Sequence, residues 1–198
     1  AAHGLPSDPD CGMLARQLVL SPVPPSFRDP TVPPPPTLHP MRPWLDNAEA
    51  PLHRRARLRS RRPPWAERAP GNPTIYVTLG TVFNHESGDL FPRILAGLSP
   101  LRANILVTVG REIAPAALGP QPPHVTVGRF VPQADVLPHA DLVVSHGGSG
   151  SVLGSLAHGV PLLVIAMGAD QPLNAGRVVD LGCGVALDPL AATPDDVR

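Results

Sequence analysis

Residues 143–156 read VVSHGGSGSVLGSL, and this stretch has the pattern of a strand, a glycine-rich turn and a helix start. The apolar run before His146 favours a buried strand, and the small and apolar residues after the turn favour a helix. Glycines in the turn remove side chains where the backbone must come close to a ligand. The amides of residues 149–151 would lack partners at the helix start and would attract phosphate. A plain turn whose glycines serve only packing fits the same residues.

Apolar runs on both sides of this stretch predict the rest of a parallel sheet. Runs with little polar alternation are typical of strands covered on both faces, and the amphipathic or proline-initiated segments between them are typical of helices. The predicted strands are 75–79, 104–109, 124–127, 142–145, 161–166 and 184–187, and the predicted helices are 88–98, a short one ending at 139, one ending near 158, and 172–181. The alternation predicts an α/β fold with a doubly wound parallel sheet.

Four polar or glycine-rich loops follow predicted strands. Because the carboxyl ends of parallel strands meet at one edge, where open α/β sheets bind ligands, we expect these loops to converge on one site. Ordinary connecting loops at all four places are the alternative. The four loops are Gly80-Thr81, Phe130-Val131, His146 to Ser151, and Asp170-Gln171.

Residues 1–72 differ from the rest in composition. They hold 16 of the 29 prolines, which disfavour helices and central strands alike. The run Leu18 to Leu20 could form an edge strand, and the arginine-rich piece Arg54 to Arg62 could form a helix. The sequence predicts a linker here and a folded domain from residue 73 to 198.

Charge and cysteine content exclude several classes of protein. The formal net charge is zero, which argues against a nucleic-acid surface. Cys11 and Cys183 give neither a disulfide framework nor a zinc spacing. No apolar run is long enough to span a bilayer and no signal peptide opens the chain, so we expect no membrane insertion and a cytoplasmic protein.

Four motifs resemble a nucleotide-sugar signature. They are Phe130-Val131-Pro132-Gln133, His146 to Ser151, Gly159-Val160-Pro161-Leu162, and Asp170-Gln171-Pro172-Leu173-Asn174-Ala175. In order and spacing they are similar to those of the UDP-glycosyltransferase-like superfamily, and more narrowly to bacterial glycosyltransferases that decorate antibiotics. The resemblance implies a GT-B fold with two Rossmann-like domains. Residues 1–72 would then be the interdomain linker with a remnant of the acceptor domain, and residues 73–198 the sugar-donor domain, truncated at its carboxyl end.

The resemblance also implies a role for each site residue. Phe130 would stack on the nucleobase and the backbone of Val131 would bond its edge; a core Phe130 is the alternative. Thr81 and His146 would meet the diphosphate, and His146 could instead be a core histidine. Asp170 and Gln171 would bond sugar hydroxyls, alongside a helix-capping role. The donor-binding set is Gly80, Thr81, Phe130, Val131, Gln133, His146, Gly148, Ser149, Gly150, Ser151, Asp170 and Gln171.

The chain departs from the family's pattern in two ways. Gly154 stands where many relatives carry a glutamate that holds the ribose, which leaves uridine versus thymidine open. The family's general base is a histidine of the amino-terminal domain, and neither His85 nor His139 matches a family motif. The catalytic residue is therefore unknown, and the chain by itself is not expected to transfer sugar.

The leading hypothesis is the donor half of an inverting glycosyltransferase. It would use a UDP- or TDP-sugar with no metal or other cofactor, and would transfer a hexose to a hydroxyl of a small natural-product aglycone bound by the other domain. The alternative is a non-catalytic nucleotide-sugar-binding module or enzyme remnant. A third hypothesis keeps the enzyme but makes the acceptor a lipid or cell-wall intermediate.

Overall fold

The structure, a computed structural model, describes residues 8, 12–13, 16–41, 63, 65, 71–80 and 87–198. It divides into two compact units, residues 1–44 and residues 45–198, which are described separately. Thr81, His85 and the stretch 54–62, about which the sequence made predictions, lie outside the described residues.

The first unit contains a small parallel sheet of two strands, β1 (Val19–Ser21) and β2 (Leu38–Pro40). The strand expected over Leu18 to Leu20 is thus present, shifted by one residue. The second strand was not predicted, because only Thr37 separates it from the proline run 33–36 and it ends on a proline. A 3-10 turn, Pro25–Phe27, lies between the strands and buries Phe27. The boundary at residue 72 between linker and domain stays a prediction.

The second unit is built on a six-stranded sheet in which every neighbouring pair is parallel, and this confirms the predicted fold class. The strand order is β5-β4-β3-β6-β7-β8. The strands are β3 (Thr74–Thr78), β4 (Asn104–Thr108), β5 (Val125–Gly128), β6 (Leu142–Ser145), β7 (Leu162–Ile165) and β8 (Gly184–Leu187). The helices are α1 (Leu90–Leu98), α2 (Gln133–Val136), α3 (Ser149–Ala157), α4 (Gln171–Asp180) and α5 (Pro194–Val197), with 3-10 turns at Pro115–Leu118 and Leu137–His139.

The core lies on both faces of the central strands, because β3, β4 and β7 are buried at every position. Helix α1 covers one face with Phe91, Ile94 and Leu98, which have almost no exposed surface. The short helix α5 packs on α1 at Gly97, so closely that a Cβ atom on Gly97 would not fit. We did not predict α5, although Thr193 and Asp196 form a capping box, a pattern that can be recognised in sequence.

The site is positioned by the reversal of strand order between β3 and β6. From β3 the chain proceeds outward through β4 to β5, and then returns to β6 on the other side of β3. Loops at the carboxyl ends of such a pair diverge and leave a crevice, which is where open α/β sheets bind ligands. Thr78 of β3 and Ser145 of β6 are the last paired residues before that crevice.

Candidate functional site

A cavity of about 410 Å³ opens at the carboxyl ends of β3 and β6. All four loops singled out from the sequence reach it. The residues of the predicted donor-binding set that line it are Gly80, Phe130, Val131, Gln133, His146, Gly148, Ser149, Gly150, Ser151, Asp170 and Gln171. Thr81 belongs to the same set but lies outside the described residues. The expected convergence of the four loops is therefore observed.

The imidazole of His146 occupies the space that two glycines leave open. A Cβ atom on Gly80 would lie 2.6 Å from His146 Nε2, and one on Gly148 would lie 2.5 Å from the same atom. No side chain fits at such distances, so both positions require glycine while the ring stays where it is. Nε2 thus lies between the loop after β3 and the loop after β6.

The glycines of the turn serve purposes that differ from the prediction. We expected all three to make room for a ligand, but a Cβ atom on Gly147 would meet Val164 Cγ1 at 2.7 Å, so Gly147 makes room for the core. Its φ of +87° also favours glycine. Gly148 makes room for His146. A Cβ atom on Gly150 would face open space. Of the three glycines, Gly150 is therefore the one whose missing side chain leaves room for a ligand at the helix start.

His146 is half-buried, and burial lowers its pKa. The backbone of Thr78 and the carboxylate of Asp170 act in the opposite direction but do not outweigh burial. Nδ1 is buried and has no hydrogen bond of ordinary geometry within the described residues. An anion placed at Nε2 would raise the pKa of the ring. A histidine packed entirely in the core does not fit this position, because the ring lines the cavity.

The first turn of α3 supplies backbone donors. Gly148 stands at the N-cap and has no side chain with which to cap the helix. The first intrahelical bond runs from the Val152 amide to the Gly148 carbonyl, at 3.0 Å. The amides of residues 149–151 thus have no helical partner and lie at the positive end of the helix dipole. Together with His146 Nε2, which can donate when it carries a ring proton, they form a set of groups suited to a phosphate.

Asp170 and Ser149 join the two sides of the cavity. The Ser149 hydroxyl donates to Asp170 Oδ2 at 2.7 Å. This bond is the main reason why the pKa of Asp170 lies below its ordinary value, with Asn174 and His146 acting in the same direction. Asp170 occupies the N-cap position of α4, yet its side chain makes no capping bond. The N-cap position is therefore as predicted, but the side chain does not cap the helix, and Asp170 lines the cavity.

Gln171 shapes the loop that precedes α4. Its Oε1 accepts from the amides of Met167 and Gly168, at 2.7 and 3.1 Å. Gln171 is only 3% exposed, and Ala169, two residues earlier, has a positive φ of 55°. Because Oε1 is occupied, a contact from Gln171 to a sugar would come from its Nε2 donors.

The opposite end of the cavity carries an exposed aromatic ring. Phe130 is 71% exposed, which excludes the alternative of a core phenylalanine. Its loop is tied to the loop after β4, because Gly110 donates its amide to the Arg129 carbonyl at 2.9 Å, and Arg129 Nη1 donates to the Arg111 carbonyl at 2.5 Å. The ring is thus presented from a braced loop rather than from a free one.

Sequence reasoning missed the polar floor of the cavity. Tyr76, Thr78 and Thr108 line it, although they belong to strands that look uniformly buried. The Tyr76 hydroxyl lies 3.1 Å from Thr108 Oγ1, and burial raises the pKa of the phenol. Gln133 Nε2 donates to Ser151 Oγ at 3.0 Å and continues the network towards the helix start. The two-residue spacing of Tyr76 and Thr78, which places them on one face of β3, was the available signal.

Three other candidate features are His139, a metal site and a membrane-spanning helix. The His139 ring packs edge-on against the Trp65 ring, with 6.1 Å between the two ring centroids, and His139 does not line the cavity. The described part of the chain contains no group of three histidine, cysteine or acidic side chains arranged for a metal ion. None of its described helices is both long and apolar enough to cross a membrane.

Comparison with known proteins shows the family of the chain. Residues 92–198 match the family described as "Erythromycin biosynthesis protein CIII-like, C-terminal domain". The chain is 40% identical over 134 residues to 4'-demethylrebeccamycin synthase of Lentzea aerocolonigenes, covering 68% of this chain and 31% of that protein. It is 36% identical over 131 residues to demethyllactenocin mycarosyltransferase of Streptomyces fradiae, covering 66% of this chain and 28% of that protein.

Solved structures of glycosyltransferases are also similar to this chain. The glycosyltransferase of kitacinnamycin matches with a TM-score of 0.61 and 34% identity, over 69% of this chain and 34% of that one. The glycosyltransferase VinC, solved in complex with dTDP, matches with a TM-score of 0.58 and 26% identity, over 69% of this chain and 34% of that one. The present chain therefore spans about a third of the length of each of these four proteins.

Proposed function

Because this chain belongs to the erythromycin biosynthesis protein CIII-like C-terminal domain family, we propose that it is the sugar-donor half of an antibiotic glycosyltransferase. In this proposal it binds a nucleoside-diphosphate sugar in the cavity between β3 and β6. The observation that carries the proposal is the uncapped start of α3 with His146 Nε2 beside it, at the switch point of the sheet.

The diphosphate would lie against the start of α3. Transfer of a sugar leaves negative charge on the phosphate that departs, and fixed donors aimed at that charge stabilise the transition state. The open amides of residues 149–151 and the ring of His146 can provide such donors. In this proposal they do the work that a metal ion does elsewhere, so the dissociation constant for the nucleotide should not change when EDTA is added.

The nucleoside would lie towards Phe130. Its exposed ring offers a face on which a flat base can stack, while the backbone of Val131 can bond the base edge. Residue 154 is a glycine, so no carboxylate is present there to hold a ribose. A Cβ atom at this position would lie 3.1 Å from Leu137 Cδ1 and 3.6 Å from Gln133 Oε1. Since VinC was solved with dTDP, a thymidine nucleotide is the first ligand to test.

The sugar would lie beside Asp170 and Gln171. Asp170 can accept from a sugar hydroxyl, and the Gln171 amide can donate to one. The proposed reaction is inverting transfer of a hexose, in which an acceptor hydroxyl attacks the anomeric carbon as the diphosphate leaves. The base that deprotonates a small aglycone, and the aglycone site itself, would come from another domain. The cytoplasmic location expected from the sequence remains a prediction.

Calorimetry with UDP, TDP and GDP tests the proposal. The 198-residue chain should bind UDP or TDP and should transfer no sugar to an aglycone from the corresponding nucleotide sugar. If none of the three nucleotides binds, donor recognition by this chain is refuted. If the chain alone transfers sugar, its role as only half of the enzyme is refuted.

A further inference from the structure

Asn174, on the first turn of α4, contacts three parts of the site with one nitrogen atom. Its Nδ2, which carries two hydrogens, lies within hydrogen-bond distance of three acceptors: the Gly147 carbonyl at 2.9 Å, Asp170 Oδ2 at 3.0 Å and Ser149 Oγ at 3.2 Å. Gly147 and Ser149 belong to the turn proposed for phosphate, whereas Asp170 belongs to the end proposed for the sugar. Asn174 thus contacts both ends, which also meet directly through the hydrogen bond from Ser149 to Asp170.

The contacts fix which carboxylate oxygen is left for a ligand. Asp170 Oδ2 receives two hydrogen bonds, from Ser149 Oγ at 2.7 Å and from Asn174. Oδ1 receives none from another residue of the described part of the chain. An exposed carboxylate without such partners would turn about its side-chain torsions, and that freedom would be lost on binding. With Oδ2 held from two sides, Oδ1 is oriented before a sugar arrives.

The chemistry of the position favours asparagine. An amide carries two donor hydrogens on one atom, so it can serve a carbonyl and a carboxylate at once. Aspartate has nearly the same shape but only acceptors, and it would repel both the Gly147 carbonyl and Asp170. Alanine would leave Asp170 with Ser149 as its single partner.

We propose that Asn174 is a positioning residue that holds Asp170 and the phosphate turn in register, so that the sugar and the diphosphate of one donor bind cooperatively. This inference rests on the proposed donor-binding function. It goes beyond it by assigning a role to a side chain that does not line the cavity.

A double-mutant cycle tests the inference on the 198-residue chain. The variants are Asn174→Ala, Asp170→Ala and the pair together. Each is titrated with TDP, TDP-glucose, UDP and UDP-glucose. The quantity of interest is the sugar increment, the ratio of the dissociation constants for a nucleoside diphosphate and its glucose conjugate.

Asn174→Ala should weaken the binding of TDP or UDP by about threefold and that of the glucose conjugate by about tenfold. These losses are expected when hydrogen bonds to a carbonyl and to a charged group are removed. The sugar increment thus falls. In the Asp170→Ala background the same change should weaken both ligands equally, because the carboxylate through which Asn174 reaches the sugar is gone.

A merely structural asparagine gives a different result. Asn174→Ala would then weaken both ligands by one common factor in either background, and this outcome overturns the inference while leaving donor binding intact. If the wild-type chain binds none of the four ligands, the proposed function fails and the inference fails with it. The two failures are therefore distinguishable.

Two further variants guard against a general effect on α4. Asn174→Asp keeps the shape of the side chain, so it serves if Asn174→Ala does not fold, and it should reduce the sugar increment at least as much. Asp180→Asn breaks the Arg177–Asp180 ion pair, 3.1 Å long, on the last turn of the same helix. It should leave the sugar increment unchanged; a matching loss in Asp180→Asn would show that α4 stability alone is responsible and would overturn the inference.

Discussion

The ring of His146 lies against the backbone of Gly80, so close that a Cβ atom on Gly80 would be 2.6 Å from Nε2. The two residues follow β3 and β6, the strands between which the sheet order reverses. The backbone after one central strand therefore sets the position of the side chain after the other. This contact fixes the place of the proposed phosphate donor.

Gly80→Ala should displace His146 and weaken binding of TDP or UDP. Gly80 has a φ of +78°, so a side chain there also adds backbone strain of about 1–2 kcal/mol. Gly159→Ala is the matched control, because Gly159 has a φ of +68° and its Cβ would face open space. Both variants should melt at lower temperature, but only Gly80→Ala should lose affinity. Equal affinities in the two variants would contradict the assigned contact.

His146→Ala should weaken nucleoside-diphosphate binding and leave the chain folded. Loss of a hydrogen bond to a charged group costs about 1.5–3 kcal/mol, roughly tenfold or more in affinity. Calorimetry at a temperature well below melting measures the affinity, and a melting curve without ligand controls for stability. A lower melting temperature with unchanged affinity would remove His146 from the site.

The pH dependence of stability should carry a contribution from His146. Burial lowers the pKa of this group in the folded chain below its ordinary value of 6.5, so the unfolded chain binds more protons between the two values. The free energy of unfolding therefore rises with pH through this window and falls on acidification. The melting temperature of the wild type minus that of His146→Gln should decrease from about pH 7 to pH 5, below the ordinary histidine pKa. A difference that grows on acidification would mean that the histidine is stabilised in its charged form.

Phe130→Ala should reduce affinity for a nucleoside diphosphate with little effect on stability. The ring is 71% exposed, so its removal leaves no cavity, whereas stacking of an aromatic ring on a base contributes about 1–3 kcal/mol. Leu190→Ala removes another exposed apolar side chain, 92% exposed, that does not line the site. Calorimetry should show the loss only for Phe130→Ala; retained affinity would exclude stacking on this ring.

The sheet was predictable from the sequence because parallel strands buried on both faces are nearly pure apolar runs. Each strand of the large sheet was predicted to within one residue of its observed bounds. The two-strand sheet of residues 19–40 was only half predicted, since a strand that follows four prolines has no such signal. The helix α5 is a single turn, too short for a periodic pattern.

The loop residues that line the candidate site were predictable, but the strand residues of its floor and the contacts between its members were not. Loops after parallel strands must converge, and their polar residues could be identified one loop at a time. Which atom each glycine faces depends on neighbours that are distant in sequence: Gly147 faces Val164, and Gly80 faces His146. Asn174 lies four residues after Asp170, one turn of α4 away, but its bond to the Gly147 carbonyl follows only from how α3 and α4 pack.

The most direct test of donor binding is to follow the amide resonances of the chain labelled with ¹⁵N while TDP or UDP is added. The amides of residues 147–151 should show saturable shifts, with Gly80, Phe130 and Val131 shifting in step at the same ligand concentrations. The His146 ring signals should move towards the protonated form, since a bound diphosphate raises the pKa of that ring. No shift at millimolar nucleotide, or saturable shifts confined to residues outside the cavity, would contradict the account.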